Sequence, residues 1–141
     1  EALRALAADS VLAPQRMEYN TSGAVLGVAV EVLAGFVAQA AGNHGAAVTH
    51  LEDAVRREDA LTYGEPPEWT VPPRQDLGAM LLAATRPREA ERAFREDLAK
   101  FPENGWSLRG LAEALRASGR AAEAADVEAR FRKAWETADV K

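Results

Sequence analysis

Apolar residues recur at helical spacing in two stretches of the chain, one near its middle and one further on. In residues 74–85 they are Leu77, Met80, Leu81 and Ala84, and in residues 107–118 they are Leu108, Leu111, Ala112 and Leu115. Apolar positions at i, i+3, i+4 and i+7 place these side chains on one side of a helix. The pattern therefore predicts two amphipathic helices, each with one face in a core.

Each of these helices is followed by a stop signal and then by a second helical stretch. Pro87 follows the first helix, and Gly119 follows the second. Glu89 and Glu123 then lie at the start of the next helices, where a negative charge suits the helix dipole. Residues 1–8 are also good helix formers and predict a short helix that ends near residues 9–14. The chain is thus predicted to be all-α and built of helix pairs.

The helix pairs recur at a regular interval along the chain. At offsets 0, 3, 12, 16 and 24 stand Gly78, Leu81, Ala90, Phe94 and Pro102. This spacing resembles the tetratricopeptide repeat, a helix–turn–helix unit with a period of about 34 residues. The following unit matches at Leu111, Ala112, Leu115, Gly119 and Ala124, and an earlier one at Gly35, Ala47, Leu51 and Ala54. The resemblance implies a right-handed α-solenoid, because a single helix pair cannot bury its apolar face without a stacked neighbour.

The repeat register divides the chain into segments. We expect a leftover helix of a preceding repeat with its connection, three repeats, an insertion and a tail: 1–27, then 28–61, 71–104 and 105–138 as repeats, with 62–70 as the insertion and 139–141 as the tail. Charged residues replace the usual types at Glu31, Asp97, Glu128 and Glu136. Glu31 needs a partner or a wet surface, and a buried Asp97 would pair with an Arg or cap a backbone group across the interface.

A narrower resemblance is carried by short motifs around the second and third repeats. They are Glu65-Pro66-Pro67 with Trp69, then Arg74, Leu77-Gly78, Arg95-Glu96-Asp97-Leu98 and Asn104-Gly105-Trp106. Together they are similar to the C-terminal repeat region of larger bacterial tetratricopeptide proteins. This resemblance implies a bacterial source and a fragment of a longer chain.

Composition and charge restrict the class of function. The 141 residues include 31 Ala, which suits closely packed helices, and no Cys, which excludes disulfides, thiol catalysis and Cys-ligated zinc. Seventeen Lys and Arg against 22 Asp and Glu give a net charge of −5, which argues against a nucleic-acid partner. The absence of Cys fits the cytoplasm or the periplasm, and we favour the cytoplasm.

Residues 24–41 are nearly all apolar and long enough to resemble a membrane span. Glu31 stands at the centre of this run, where a carboxylate opposes insertion by about 2.5 to 3.5 kcal/mol. A core helix buried on both sides explains the run equally well. We expect no membrane span.

The insertion and its flanks hold most of the acidic excess. Residues 51–76 carry seven acids and three bases, and the segment contains two Pro-Pro pairs that favour an ordered backbone. The insertion could be a recognition edge anchored by Tyr63 and Trp69. It could instead hold a small ligand or a divalent cation, the latter at Glu58, Asp59, Glu65 and Glu68, although the spacing is not that of an EF-hand. The interpretation that we favour is that Trp69 and the prolines cover the joint between the first two repeats.

The family resemblance implies a protein–protein interaction module that binds a peptide or protein in a groove lined by the first helices of its repeats. We expect its contacts at five groove positions and two insertion positions: Phe36, Leu82, Trp106, Arg109 and Arg116, with Tyr63 and Trp69. Val32, Phe36 and Ala79 replace the polar residues of a clamp for acidic chaperone tails. The alternative is self-association through exposed apolar surface.

The sequence contains no motif that indicates a catalysed reaction. His44 and His50 are the only imidazoles, and they lack both metal-ligand spacing and a shared helix face, so we expect surface residues. Arg92 and Glu96 form an ordinary i, i+4 pair. We therefore expect no enzyme activity, no cofactor and no metal site.

Overall fold

A computed structural model describes residues 1–138; the predicted tail at residues 139–141 lies outside them. The described residues contain seven α-helices: α1 (Ala2–Ala7), α2 (Ser22–Ala40), α3 (His44–Asp59), α4 (Pro73–Ala83), α5 (Pro87–Lys100), α6 (Gly105–Ala117) and α7 (Ala121–Ala134). Within them, β-type backbone pairing is limited to one isolated bridge, between Arg16 and Thr21. The all-α prediction is confirmed.

The chain forms two compact units, of which the first is Glu1–Pro73. Here α2 packs against both α1 and α3. Thr21 Oγ1 caps α2 by accepting from the backbone N–H of Ala24, and Asn43 caps α3 in the same way. The two long helices approach closely because Gly35 has no side chain: a Cβ there would lie 2.9 Å from Leu51 Cγ. Gly35, one of the positions that match the repeat, therefore sets the spacing of this helix pair.

The second unit is Arg74–Lys141, described as far as residue 138. Phe94 of α5 is its central aromatic residue and is 2% exposed. Its ring lies against Gly78 of α4 and against Gly110 of α6, at positions where an added Cβ would overlap ring atoms. Two glycines thus make room for one ring, and the ring holds three helices together.

The buried Asp97 joins α5 to α6. It is fully buried, and its Oδ2 accepts from Ser107 Oγ at 2.5 Å and from Asn104 Nδ2 at 3.0 Å. Asn104 also caps α6, because its Oδ1 accepts from the backbone N–H of Trp106. Asp97 therefore faces the next helix, as the sequence predicts, and its polar neighbours on that side are a hydroxyl and a side-chain amide.

Three turns between paired helices have the same backbone conformation. Gly42, Thr85 and Gly119 all have positive φ, of 74°, 57° and 77°. In each turn the next residue donates its N–H to a carbonyl in the preceding helix: Asn43 to Ala38, Arg86 to Leu81 and Arg120 to Leu115. The interval from Thr85 to Gly119 equals the period of the sequence register, and the interval from Gly42 to Thr85 is longer by the length of the insertion. The backbone geometry thus recurs with the predicted spacing.

A matching ion pair starts the helix after two of these turns. Arg86 contacts Glu89, and Arg120 contacts Glu123, in both cases across i, i+3. Hydrogen bonds from Arg86 are the main reason that the pKa of Glu89 lies below its ordinary value. Glu123 and then Glu91 raise the pKa of the Arg120 guanidinium, which bonds Glu91 at 2.6 Å. Arg120 consequently ties the start of α7 to α5.

The core predicted from the apolar pattern is largely confirmed. Leu77, Met80, Leu81, Leu108, Leu111, Ala112 and Leu115 are all at most 8% exposed. The expectation that the long apolar run is buried on both sides is wrong. Of its 18-residue window in α2, 22% is buried, because α2 packs closely along Gly27, Val28 and Gly35 and leaves Leu33 and Val37 exposed.

Candidate functional site

One face of α6 carries Trp106, Arg109 and Arg116, three of the residues that the sequence predicts as partner contacts. Glu113 lies on the same face, and the four residues follow each other at helical spacing. The opposite face, with Leu108, Leu111 and Leu115, is buried. Because residues 3, 7 and 10 positions after Trp106 lie above one another on a helix, the side chains form a continuous strip. These four residues form the α6 strip.

Trp106 is held at the start of the α6 strip by other aromatic residues. Its ring meets Trp135 edge to face, with centroids 5.2 Å apart, and Trp135 stacks on Phe131 at 5.4 Å. Trp135 itself lies directly against Gly105, where an added Cβ would overlap its ring. Trp106 nevertheless remains 54% exposed. The arrangement presents a large, supported aromatic surface to solvent.

The charges of the α6 strip differ in how they are engaged. Arg116 pairs with Glu128 of α7. Within residues 1–138, Arg109 and Glu113 have no hydrogen bond or ion pair through their side chains. Glu128, which departs from the repeat pattern, thus has a structural partner. Arg109 remains an available cation next to the exposed indole.

Leu82 and Phe36, the other predicted groove residues, lie on separate helices. Leu82 belongs to α4 and is half-buried. Phe36 belongs to α2 in the first unit and is 43% exposed. Leu33 and Val37 are its exposed apolar neighbours on the same helix. Phe36, Leu33 and Val37 give the first unit an apolar surface of its own.

Within residues 1–138, α2 is the one helix that is long and apolar enough to cross a membrane by length and composition. Such a helix is weak support for a membrane span, because core helices and signal sequences share those properties. Glu31 lies within it and has polar partners in the same unit. Its Oε2 is 2.7 Å from His50 Nδ1, and its Oε1 is 3.9 Å from Arg57 Nη2.

This contact corrects the surface assignment of His50. The His50 side chain is 32% exposed and lies opposite Glu31 across the α2–α3 pair, whereas His44 is exposed at the start of α3. Glu31 therefore has polar partners, one of the two alternatives that the sequence predicts for it. The Glu31–His50 pair can be identified only when the register of α2 against α3 is known, because the two residues lie on different helices.

Tyr63 and Trp69, predicted as joint anchors of a recognition edge, have different environments. Tyr63 is 70% exposed. Trp69 is half-buried, and its Nε1 is buried without a hydrogen-bond partner among the described residues. The Glu65–Pro66 bond in the same segment is cis. Tyr63 is thus available to a partner, and Trp69 is largely covered.

The insertion docks through Glu68 on the segment before α2. The Glu68 carboxylate accepts from the backbone N–H groups of Glu18, Tyr19 and Asn20 at 2.8, 2.9 and 3.1 Å. The hydrogen bond from Tyr19 is the main cause, and that from the Asn20 side chain the next, of a pKa below the ordinary value of Glu68. The Tyr19 ring also covers Gly64. No local pattern signals these contacts, because their partners are far apart in the chain.

The acids predicted as a cation site in the insertion do not come together. Glu68 is engaged by backbone donors, and Glu58 and Asp59 lie in the last turn of α3. Among residues 1–138 there is no group of three or more His, Cys, Asp and Glu side chains that could hold a metal ion. The insertion acts as a docked structural segment in the first unit.

Comparison with family models, with curated proteins and with solved structures finds no match for this chain. Its function is therefore inferred from its own residues.

Proposed function

We propose that this chain is a protein-binding module built from helix pairs of the tetratricopeptide type, which binds a segment of a partner and performs no chemical step. The carrying observation is the α6 strip: an exposed, supported Trp106 stands beside the available cation of Arg109. Trp and Arg are among the residue types that most often dominate binding energy at interfaces. Since the opposite face of α6 is buried, the exposed strip is a specific feature and not a consequence of a loosely packed helix.

The assignment to the tetratricopeptide type is supported by the backbone. Left-handed turn residues recur at Thr85 and Gly119, one period of the sequence register apart, and the Arg–Glu pairs after them recur with the same spacing. Helix pairs that repeat every ~34 residues are typical of this repeat class. Solenoids of stacked repeats present extended surfaces that bind partners.

The test is a selection of peptides from a randomised display library against the purified chain. Peptides that bind the α6 strip should combine an apolar or aromatic residue with an acidic one, matching Trp106 and Arg109. Their affinity for the Trp106→Ala and Arg109→Glu variants should fall at least tenfold, as expected for interface hot spots worth about 1.4 kcal/mol or more. Arg88→Glu, which changes an Arg of α5 outside the strip, is the matched control and should leave affinity unchanged.

Two results would contradict the proposal. One is a selection that yields no peptide above background. The other is a set of peptides that bind all three variants as tightly as they bind the wild type. Far-UV circular dichroism of each variant establishes that the helices remain formed before affinities are compared.

A further inference from the structure

Two adjoining cavities lie in the first unit, along α1 and α2. One has a volume of about 330 Å³ and the other about 280 Å³, and Arg4 and Val30 line both. Pockets that bind small molecules usually measure about 300 to 1,000 Å³. The larger cavity therefore has room for a small ligand, and the shared residues mark the place where the two meet. Together the two cavities form the α1–α2 cleft.

Most of the wall of the larger cavity is apolar, and its polar lining residues are Glu1, Arg4, Asn43 and His50. Leu3 of α1 and three branched residues of α2, Val30, Leu33 and Val37, line it together with Ala34 and Ala38. Leu33 is 52% exposed and Val37 61%. Covering these side chains with a hydrocarbon removes apolar surface from water, which is favourable in proportion to the area covered. The cleft thus suits a ligand with an apolar body.

The polar groups of the cleft indicate the sign of the ligand's charge. Glu31 lines the smaller cavity, but His50 and Arg57 lie beside its carboxylate at 2.7 and 3.9 Å. Arg4 has no hydrogen bond or ion pair through its guanidinium within residues 1–138. Arg4 is therefore the available cation at the junction of the two cavities. Glu1 is the opposing charge on the larger one.

We propose that the α1–α2 cleft binds a free linear carboxylate of medium chain length. Its hydrocarbon chain lies against Leu3, Leu33 and Val37, and its carboxylate lies at Arg4. Arg suits this role because its planar guanidinium can donate two parallel hydrogen bonds to a carboxylate. The cleft belongs to the first unit and the α6 strip to the second, so the two binding activities do not depend on each other.

Calorimetric titration with hexanoate, octanoate and decanoate, each below its micellar concentration, measures the apolar contribution. Affinity should rise about fourfold for each added CH₂, which corresponds to about 0.8 kcal/mol per buried CH₂, until the cavity is full. Heptanol and heptyltrimethylammonium have the same alkyl chain as octanoate with a neutral and a positive head, and both should bind at least tenfold more weakly than octanoate. Equal affinity for all three heads, or no binding of decanoate, would overturn the proposal.

Substitutions in the cleft test the position of the ligand. Arg4→Ala should weaken decanoate binding about tenfold, and Glu1→Gln should strengthen it, because the two changes alter the local charge in opposite directions. Ala38→Leu places a larger side chain in the cavity and should abolish binding. The matched controls are Arg88→Ala and Ala40→Leu, which change an Arg of α5 and an exposed α2 Ala outside the cavity lining.

The controls also separate this proposal from others. Trp106→Ala should bind decanoate like the wild type, so a failure of the α6 strip leaves this result intact. Decanoate binding that survives both Arg4→Ala and Ala38→Leu places the ligand elsewhere and overturns the assignment. Light scattering tests the alternative that a second copy of the chain covers the cleft. A dimer that Phe36→Glu dissociates and that excludes decanoate would show this, and it would overturn the proposal.

Discussion

Asn20 and Glu68 are 48 residues apart, and the Asn20 side-chain amide donates to Glu68 Oε2 at 2.5 Å. The same amide group brackets Thr62: its Nδ2 donates to the Thr62 carbonyl at 2.9 Å, and its Oδ1 accepts from the Thr62 N–H at 2.7 Å. One Asn therefore links both ends of the Pro-rich insertion to the segment that precedes α2. The insertion is ordered by hydrogen bonds as well as by its prolines.

The stability that this contact provides should depend on pH. The pKa of Glu68 in the folded chain lies below its ordinary value of 4.5, chiefly because the Tyr19 N–H and then the Asn20 amide bond the carboxylate. The resulting stabilisation is fully present above the unfolded value and is lost as pH falls through the folded value. Urea unfolding between pH 7 and pH 3 should therefore show a smaller loss of stability in Glu68→Gln than in the wild type.

Glu65→Gln is the control for that measurement. Glu65 is an exposed acid of the same insertion that has no hydrogen bond to residues 18–20, so its replacement controls for the loss of a carboxyl group from this segment. Emission from Trp69, compared in Trp106→Phe Trp135→Phe backgrounds, should shift to longer wavelength in Glu68→Gln if the insertion loosens. Identical pH profiles for the wild type and Glu68→Gln would contradict the prediction.

The contact of the Phe94 ring with Gly78 and Gly110 should be sensitive to changes in the ring and in the glycines. Phe94→Ala should lower the free energy of unfolding by about 3 to 5 kcal/mol, because it leaves a cavity between α4, α5 and α6. Gly78→Ala should also destabilise the chain, although Ala is favoured over Gly in a helix by about 1 kcal/mol, since its Cβ would lie 2.5 Å from the ring. Chemical denaturation measures both changes.

The matched control for Gly78→Ala is Gly45→Ala. Gly45 is also helical, and its Cβ would have Asn43 Oδ1 as its nearest neighbour at 3.8 Å. This variant should be as stable as the wild type or slightly more so. The double variant Gly78→Ala Phe94→Leu should lose less stability than Gly78→Ala and Phe94→Leu lose together as single variants, because the smaller side chain removes the clash. Additive losses would contradict the packing of this ring.

The buried carboxyl group of Asp97 should contribute to stability through its hydroxyl partner. Ser107→Ala should lower the free energy of unfolding by about 1 to 3 kcal/mol, because it removes a hydrogen-bond donor from a buried carboxyl group. Asp97→Ala should cost at least as much, since it leaves the Ser107 hydroxyl buried without this acceptor. Asp126→Ala changes an exposed acid of α7 and should lie within about 0.5 kcal/mol of the wild type. Thermal or urea unfolding that ranks Asp97→Ala with Asp126→Ala would refute this role.

The turn between α4 and α5 should gain stability from a glycine. Thr85 has a φ of 57°, while Gly42 and Gly119 occupy the equivalent positions of the other turns. A side chain in this left-handed conformation costs about 1 to 2 kcal/mol, and a β-branched residue is the least suited to it. Thr85→Gly should therefore raise the free energy of unfolding by about 1 kcal/mol, and Gly119→Thr should lower it by about the same amount. A loss of stability in Thr85→Gly would show that the Thr side chain contributes contacts that outweigh the strain.

Local patterns predicted the helices because helix formation depends on spacing, caps and stop residues that are close in sequence. Leu77, Met80, Leu108 and Leu111 are buried as their periodicity indicates, and Gly119 ends α6 as a left-handed turn residue. The exposed strip on α6 also follows from periodicity, since Trp106, Arg109 and Arg116 share the face opposite the leucines. Their role as partner contacts remains a prediction.

The same local patterns did not predict contacts between distant residues. The Trp106–Trp135 contact requires the end of α7 to return to the start of α6, and the Asn20–Glu68 contact requires the insertion to fold back on the segment before α2. The environment of α2 was misjudged for a related reason: its composition records how apolar it is, but the neighbours that cover each face are set by α1 and α3.

The sequence by itself determined the all-α class, the helix pairs and the faces of α4 and α6 that enter the core, because each depends on residues within one or two helical turns. The tertiary structure decided which groups the acidic side chains contact. Asp97 meets Ser107, Glu31 meets His50, and Glu68 meets the backbone of residues 18–20. A charge can be read from its position in the chain, but the partner that makes its burial tolerable is supplied by packing between elements, which no local pattern encodes.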